Sequence, residues 1–207
     1  MFSKASLLSA SLSILTVSAL TTLQGRETVV CETVHTGTVR LFSLDQSQAP
    51  LPTTGANVSL YYDSEASAFL IEGNAGRETQ FEFQQCNSSY TGYTQTSSIS
   101  YGTLVPVGQE ACMAAALGAS SGPPYLLLNN QCTFWGGDYD LTLYWAFNHE
   151  DMALNFLGVT STGGTYNDDG YTTYTTVLNA YDGQQAIEVA AYAGEPPAEL
   201  LRLAFID

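Results

Sequence analysis

Residues 171–192 read YTTYTTVLNAYDGQQAIEVAAY. Thr172, Tyr174 and Thr176 alternate with Thr173, Thr175 and Val177, the period of two that an extended strand imposes on its faces. Asp182-Gly183 then interrupts the run. That dipeptide suits a tight hairpin turn, because glycine enters left-handed backbone dihedrals without steric cost. Two β-rich runs around such a turn predict an antiparallel hairpin. The same grammar repeats along the chain, in short runs of Val, Thr, Tyr, Phe and Leu bounded by Gly, Asn, Asp, Ser and Pro. The runs fall at 38–44, 57–62, 68–72, 80–84, 98–105, 111–117, 125–128, 141–147, 153–159, 171–178, 186–192 and 200–206. The 111–117 run could also form a short helix, so its state is left open. About twelve short strands and almost no helix are expected.

The chain has 207 residues, enough for one domain or two small ones. No linker rich in Pro, Gly and Ser divides it, and residues 49–55 read as a long loop. Gly-Arg-Glu-Thr occurs at 25–28 and again at 76–79, too short a match to define a repeat. One domain is the expectation. Lys and Arg total 5 against 20 Asp and Glu, a formal net charge of −15. Such a chain repels phosphate backbones and anionic bilayers, so neither nucleic acid nor membrane is an expected partner. Its 13 Tyr, 9 Phe and 2 Trp are too much aromatic mass for a disordered chain.

Residues 1–19 read as a secretory signal peptide. Lys4 provides the positive start, Leu7 to Val17 a short apolar stretch, and Val17-Ser18-Ala19 small residues for cleavage. The secreted domain then spans 20–207. Export fits an even set of four cysteines, Cys31, Cys86, Cys112 and Cys132. Three pairings are possible. Spacing favours Cys112 with Cys132 on neighbouring strand runs, which leaves Cys31 for Cys86. Asn57-Val58-Ser59 and Asn87-Ser88-Ser89 are acceptor sequences for N-linked glycan.

Tyr101-Gly102-Thr103-Leu104, then Ala111-Cys112-Met113, then Leu126-Leu127-Leu128-Asn129-Asn130-Gln131-Cys132 resembles a repeat of the ricin-B-type β-trefoil lectins. Thr36-Gly37-Thr38-Val39 and Phe81-Glu82-Phe83-Gln84-Gln85-Cys86 echo it. The resemblance implies a β-trefoil, a disulfide within the repeat and a carbohydrate-binding ancestry. In place of the family's Gln-x-Trp after the second Cys the chain has Thr133-Phe134-Trp135, and Met113-Ala114-Ala115 stands where its sugar-binding Asp is usual. The general style is similar to small secreted proteins of fungi. The fold expected is an all-β, β-trefoil-like single domain, with a β-sandwich as the alternative.

Candidate chemistry is sparse. Gly118-Ala119-Ser120-Ser121-Gly122 fits the Gly-x-Ser-x-Gly elbow, but Pro123-Pro124 follows where that motif needs a helix. A loop turn is the better reading. His149-Glu150-Asp151 reads as a polar turn, since adjacent strand residues face opposite ways and cannot share an ion. Asn167-Asp168-Asp169-Gly170 lacks the ligand spacing of a calcium loop and reads as a hairpin turn. Asp138 and Asp140 form an i, i+2 carboxylate pair beside Trp135 and Tyr139. Tyr90 and Tyr93 sit in a Ser/Thr-rich loop. Aromatic faces stack on the apolar faces of sugars while carboxylates and amides take the hydroxyls. Trp135, Asp138, Tyr139, Asp140, Tyr90 and Tyr93 are therefore the expected ligand-binding residues. No catalytic residue, metal ligand or cofactor is assigned. The expected function is a secreted, non-catalytic binding protein, with an extracellular carbohydrate or cell-wall component as the expected partner. The alternatives are a glycan-active hydrolase using paired carboxylates and an acidic extracellular interaction or effector protein.

The charge imbalance carries a prediction. After the leader the chain holds 20 carboxylates and four Arg, with no Lys. Their repulsion is least screened at low salt and is relieved by protonation. The melting temperature of the mature protein is expected to hold or rise between neutral pH and about pH 5, and to rise with salt at neutral pH. Thermal melts with and without chelator check this. A fall at the lower pH, or a collapse with chelator, would instead mark acidic loops as cation sites.

Overall fold

The structure is a computed structural model that describes residues 29–43, 55–62, 68–73, 78–88, 92–115, 125–129, 132, 142–157, 172–181, 183–193 and 201–206. Among the described residues twelve strands follow one another. They are β1 (Cys31–Ser43), β2 (Ala56–Tyr62), β3 (Ala68–Glu72), β4 (Gln80–Cys86), β5 (Ile99–Pro106) and β6 (Cys112–Ala115). The second half is β7 (Leu126–Asn129), β8 (Trp145–Asn148), β9 (Ala153–Phe156), β10 (Thr172–Tyr181), β11 (Gln184–Ala193) and β12 (Leu201–Ile206). The protein is all-β, as its turn-bounded runs foretell.

Three of the expected runs change shape. β1 starts at Cys31 because its polar first half, Cys31 to Thr38, is paired with β4, with one register shift between Thr33 and His35. Its sequence there looks like loop because several side chains face solvent. Thr142 and Leu143 form a short 3-10 turn, and the strand expected from 141 starts only at Trp145. Leu143, Tyr144 and Trp145 are all fully buried, each in a different packing cluster. The open 111–117 run contains β6, whose four residues are buried on both faces.

Six strands close a ring. β1 pairs with β4, β4 with β5, β5 with β8, β8 with β9, β9 with β12, and β12 with β1, all antiparallel. A closed ring leaves no place for the alternative of two stacked open sheets. The other six strands are three hairpins, β2–β3, β6–β7 and β10–β11. Each hairpin interrupts the chain between two ring strands. The hairpins also touch one another, through Phe69↔Leu127, Ala186↔Ile71 and a bridge between Tyr125 and Glu188. The chain is thus three successive units of strand, hairpin, strand, with the hairpins gathered at one end of the ring.

The interior repeats the same three-part plan. Phe81-x-Phe83 on β4, Trp145-x-Phe147 on β8 and Leu203-x-Phe205 on β12 are buried pairs, and each points one face of its strand inward. Phe147 lies 5.2 Å from Phe83 and 5.4 Å from Phe205 between ring centres. Val39, Leu104 and Leu154 from β1, β5 and β9 fill between them. Val58, Leu70, Met113, Leu126, Ile187 and Val189 extend the same core into the hairpins. The Trp145 indole donates its N–H to the Met113 carbonyl at 3.1 Å, which joins ring to hairpin. Disulfides Cys31–Cys86 and Cys112–Cys132 are formed, in the pairing favoured by spacing. Each stabilises the fold by a few kcal/mol, chiefly by restricting the unfolded chain.

Among the described glycines, Gly102 on β5 marks the tightest backbone approach. A Cβ there would stand 1.9 Å from the Gln84 carbonyl oxygen on β4, far inside any contact distance. The obstacle is backbone and cannot rotate away. Gly102→Ala is expected to cost about 2 kcal/mol or more in unfolding free energy, as overpacking between fixed strands does. Denaturant midpoints of the variant measure it, and an unchanged midpoint would refute the packing account.

Candidate functional site

Trp135, Asp138, Tyr139, Asp140 and Tyr90 lie outside the described residues, as do the 118–122 and 167–170 motifs. Tyr93 is described. Its ring stacks on that of Tyr101 with centres 4.8 Å apart and planes within 12°, so one face is already covered. Gln95 pins the loop beside it, donating to the carbonyls of Cys86 and Tyr101 at 3.0 Å and accepting from the Tyr101 N–H at 2.7 Å. Tyr93 and Tyr101 pack with Cys86, Tyr144 and Leu157 in a cluster separate from the ring interior.

His149-Glu150-Asp151 is the polar turn read from the sequence, between β8 and β9. Asn148 Oδ1 accepts from the Glu150 N–H at 2.9 Å and Asp151 Oδ1 from the Ala153 N–H at 3.2 Å. Asp151 also meets Arg202 at 2.9 Å. These groups are occupied in holding the turn. Among the described residues, no three His, Cys, Asp or Glu stand together as a metal site would need.

The ring end opposite the hairpins carries a polar cluster that the sequence did not single out. Ser100 at the start of β5 places its hydroxyl 2.8 Å from Gln85 Oε1 and 2.8 Å from His149 Nε2. His149 and His35, the chain's two histidines, each lie against Phe147, at 4.6 Å and 5.3 Å between ring centres. His35 also meets Phe205 edge-on at 4.5 Å. One hydroxyl has one proton. When Ser100 donates to Gln85, the His149 nitrogen must donate to Ser100. The serine is 2% exposed and engaged on both sides, so the group is built as a plug over the aromatic core rather than as a nucleophile facing substrate. Aligning His35-x-Gly37-x-Val39 with Ser100-x-Gly102-x-Leu104 is the sequence signal that finds it.

The described residues also form an open cleft of about 560 Å³ between the β2–β3 and β10–β11 hairpins. Ala56, Asn57, Glu72, Gly73, Gly183, Gln184 and Gln185 line it. Gly183 is the turn residue foreseen between the hairpin strands, with φ at +75°. Gly73 donates its N–H to the Asn57 carbonyl at 2.6 Å. Neither glycine adds a side chain, which keeps the walls apart. The Asn57 amide is oriented by two hydrogen bonds, accepting from Arg40 Nε and donating to Glu78. Among the described residues the lining offers amides and one carboxylate and no cation, a set that suits a neutral ligand rich in hydroxyls.

No family model matches the chain, and no curated protein matches it in sequence. The functional reading therefore stands on residues and geometry.

Near the cleft, Tyr125 bridges to Glu188 of β11 and its hydroxyl donates to the Ala180 carbonyl at 3.4 Å. Burial, and secondarily the Glu188 carboxylate, raise its pKa above the ordinary value of 10.0. A raised pKa means that the folded state prefers the neutral phenol. Its contribution is complete below the unfolded value and is lost as pH rises through the folded one. Tyr125→Phe is expected to remove one late-titrating component from the alkaline ultraviolet titration and to soften the alkaline loss of stability. A difference titration showing that component at or below the ordinary value would contradict the assignment.

Proposed function

We propose that the chain is an extracellular, non-catalytic binding protein of β-trefoil plan whose ligand is a neutral carbohydrate. The cleft between the β2–β3 and β10–β11 hairpins carries the reading. It is lined by Asn57, Glu72, Gln184 and Gln185, and its two glycines leave room for a ring-shaped ligand. The closed ring with three hairpins and the ricin-B-type resemblance support the fold assignment. The signal-like leader and two disulfides, which belong to an oxidising environment, support export. Ser100 and His149 are committed to the plug and lend no support to a hydrolase.

A glycan array probed with the mature protein, followed by calorimetric titration of the best ligand, tests the proposal. Saturable binding is expected. Gln184→Ala and Gln185→Ala should each weaken it about fivefold, the value of one hydrogen bond near 1 kcal/mol. Absence of saturable binding, or binding indifferent to both substitutions, overturns the cleft as the site. Release of product from an oligosaccharide panel would replace the reading with a paired-carboxylate hydrolase.

A further inference from the structure

The two acceptor asparagines meet different surroundings in the fold. Asn57 lies within β2, half-buried, with Oδ1 accepting from Arg40 and Nδ2 donating to Glu78. Its partner in the motif, Ser59, is 2% exposed, and Val58 between them is fully buried. A sugar on Asn57 Nδ2 would also have to project from the wall of the cleft that Asn57 lines. Asn87 stands just past the end of β4, exposed. There the backbone is tied down on both sides, since the Asn87 N–H donates to the Val30 carbonyl at 3.1 Å. The Val30 N–H in turn donates to Asn87 Oδ1 at 2.7 Å. That second bond fixes the plane of the side-chain amide through its oxygen. Nδ2, which no described residue engages, is left to solvent.

We infer that the folded, secreted protein carries N-linked glycan on Asn87 and none on Asn57. The inference rests on the export proposed above and is independent of what the cleft binds. In the transfer, Asn87 Nδ2 bonds to the anomeric carbon of a lipid-pyrophosphate-linked oligosaccharide. The anomeric C–O bond to pyrophosphate breaks, the lipid pyrophosphate leaves with the electron pair, and it takes up the amide proton. Transfer acts on an entering chain, before β2 is paired. Any chain modified on Asn57 must then fold without the Arg40–Asn57–Glu78 link and with a sugar against the cleft wall, so such chains are lost from the folded pool.

Two substitutions separate the sites without touching either asparagine. Ser59→Ala removes the first motif, and it deletes a buried hydroxyl that has no hydrogen-bond partner among the described residues, so folding is preserved. Ser89→Ala removes the second. The full chain is expressed in a yeast secretory host and the secreted protein is treated with peptide N-glycosidase in heavy-oxygen water. The isotope label is expected at residue 87 alone. The mobility shift on deglycosylation should persist in Ser59→Ala and vanish in Ser89→Ala. Label at residue 57, label at neither residue, or retention of an unmodified chain inside the cell would each overturn the inference. Sugar binding by the deglycosylated protein, measured in parallel, tells a failure here from a failure of the cleft reading.

Discussion

Phe147 is the contact on which the architecture turns. It touches Phe83 and Phe205 from the equivalent positions of the other two units, and both histidines lie against it. A six-stranded ring is narrow, and its centre must be filled by side chains that reach the axis. One phenylalanine from each unit does that. Replacing such a ring by alanine typically costs 3–5 kcal/mol, a large share of a domain's net stability. The hairpins depend on the same core, since Met113, Leu126 and Ile187 rest on it and Trp145 is bonded to Met113.

What the sequence reveals follows from how locally each feature is encoded. Strand identity is local: alternation and turn residues sit within a dozen positions, and the twelve runs appear in order. The turn at Gly183 is legible for the same reason. Ring closure is not local. The pairing Thr38↔Ile206 joins residues from opposite ends of the chain, and nothing near either one announces it. The true repetition, Phe81-x-Phe83 with Trp145-x-Phe147 and Leu203-x-Phe205, is chemical rather than literal. The candidate site divides along the same line. Tyr93 was legible as an aromatic in a loop, but its stacking on Tyr101 depends on where that loop is pinned. The cleft needs two hairpins brought together across more than a hundred residues of sequence, and Gln184 and Gln185 look like ordinary strand positions until that happens.

The charge imbalance is managed with few cations. Arg202 pairs with Asp151, and Arg40 is bonded to Asn57. Glu78, Glu82, Glu150 and Glu188 accept hydrogen bonds from Asn57, Thr33, Ser98 and Asn179. Neutral donors offset part of the cost of a carboxylate without requiring a lysine, and exposed ion pairs contribute little in any case. A chain with this surface keeps its solubility through net charge while its fold rests on the apolar interior.

The pairing of β1 with β12 over Thr38–Ser43 and Leu201–Ile206 sets an order of events during synthesis. β1 meets β4 as soon as the first unit is complete, and the Cys31–Cys86 bond can lock that contact early. Its other edge waits until the third unit has emerged. For most of translation the first unit therefore presents an unpaired strand edge in a crowded compartment. Leu41 and Phe42 lie on that edge, and both are buried in the closed ring. Assembly of the barrel is accordingly a late, all-or-none step, and a chain stalled before its last strand is an aggregation hazard that chaperones or quality control must hold.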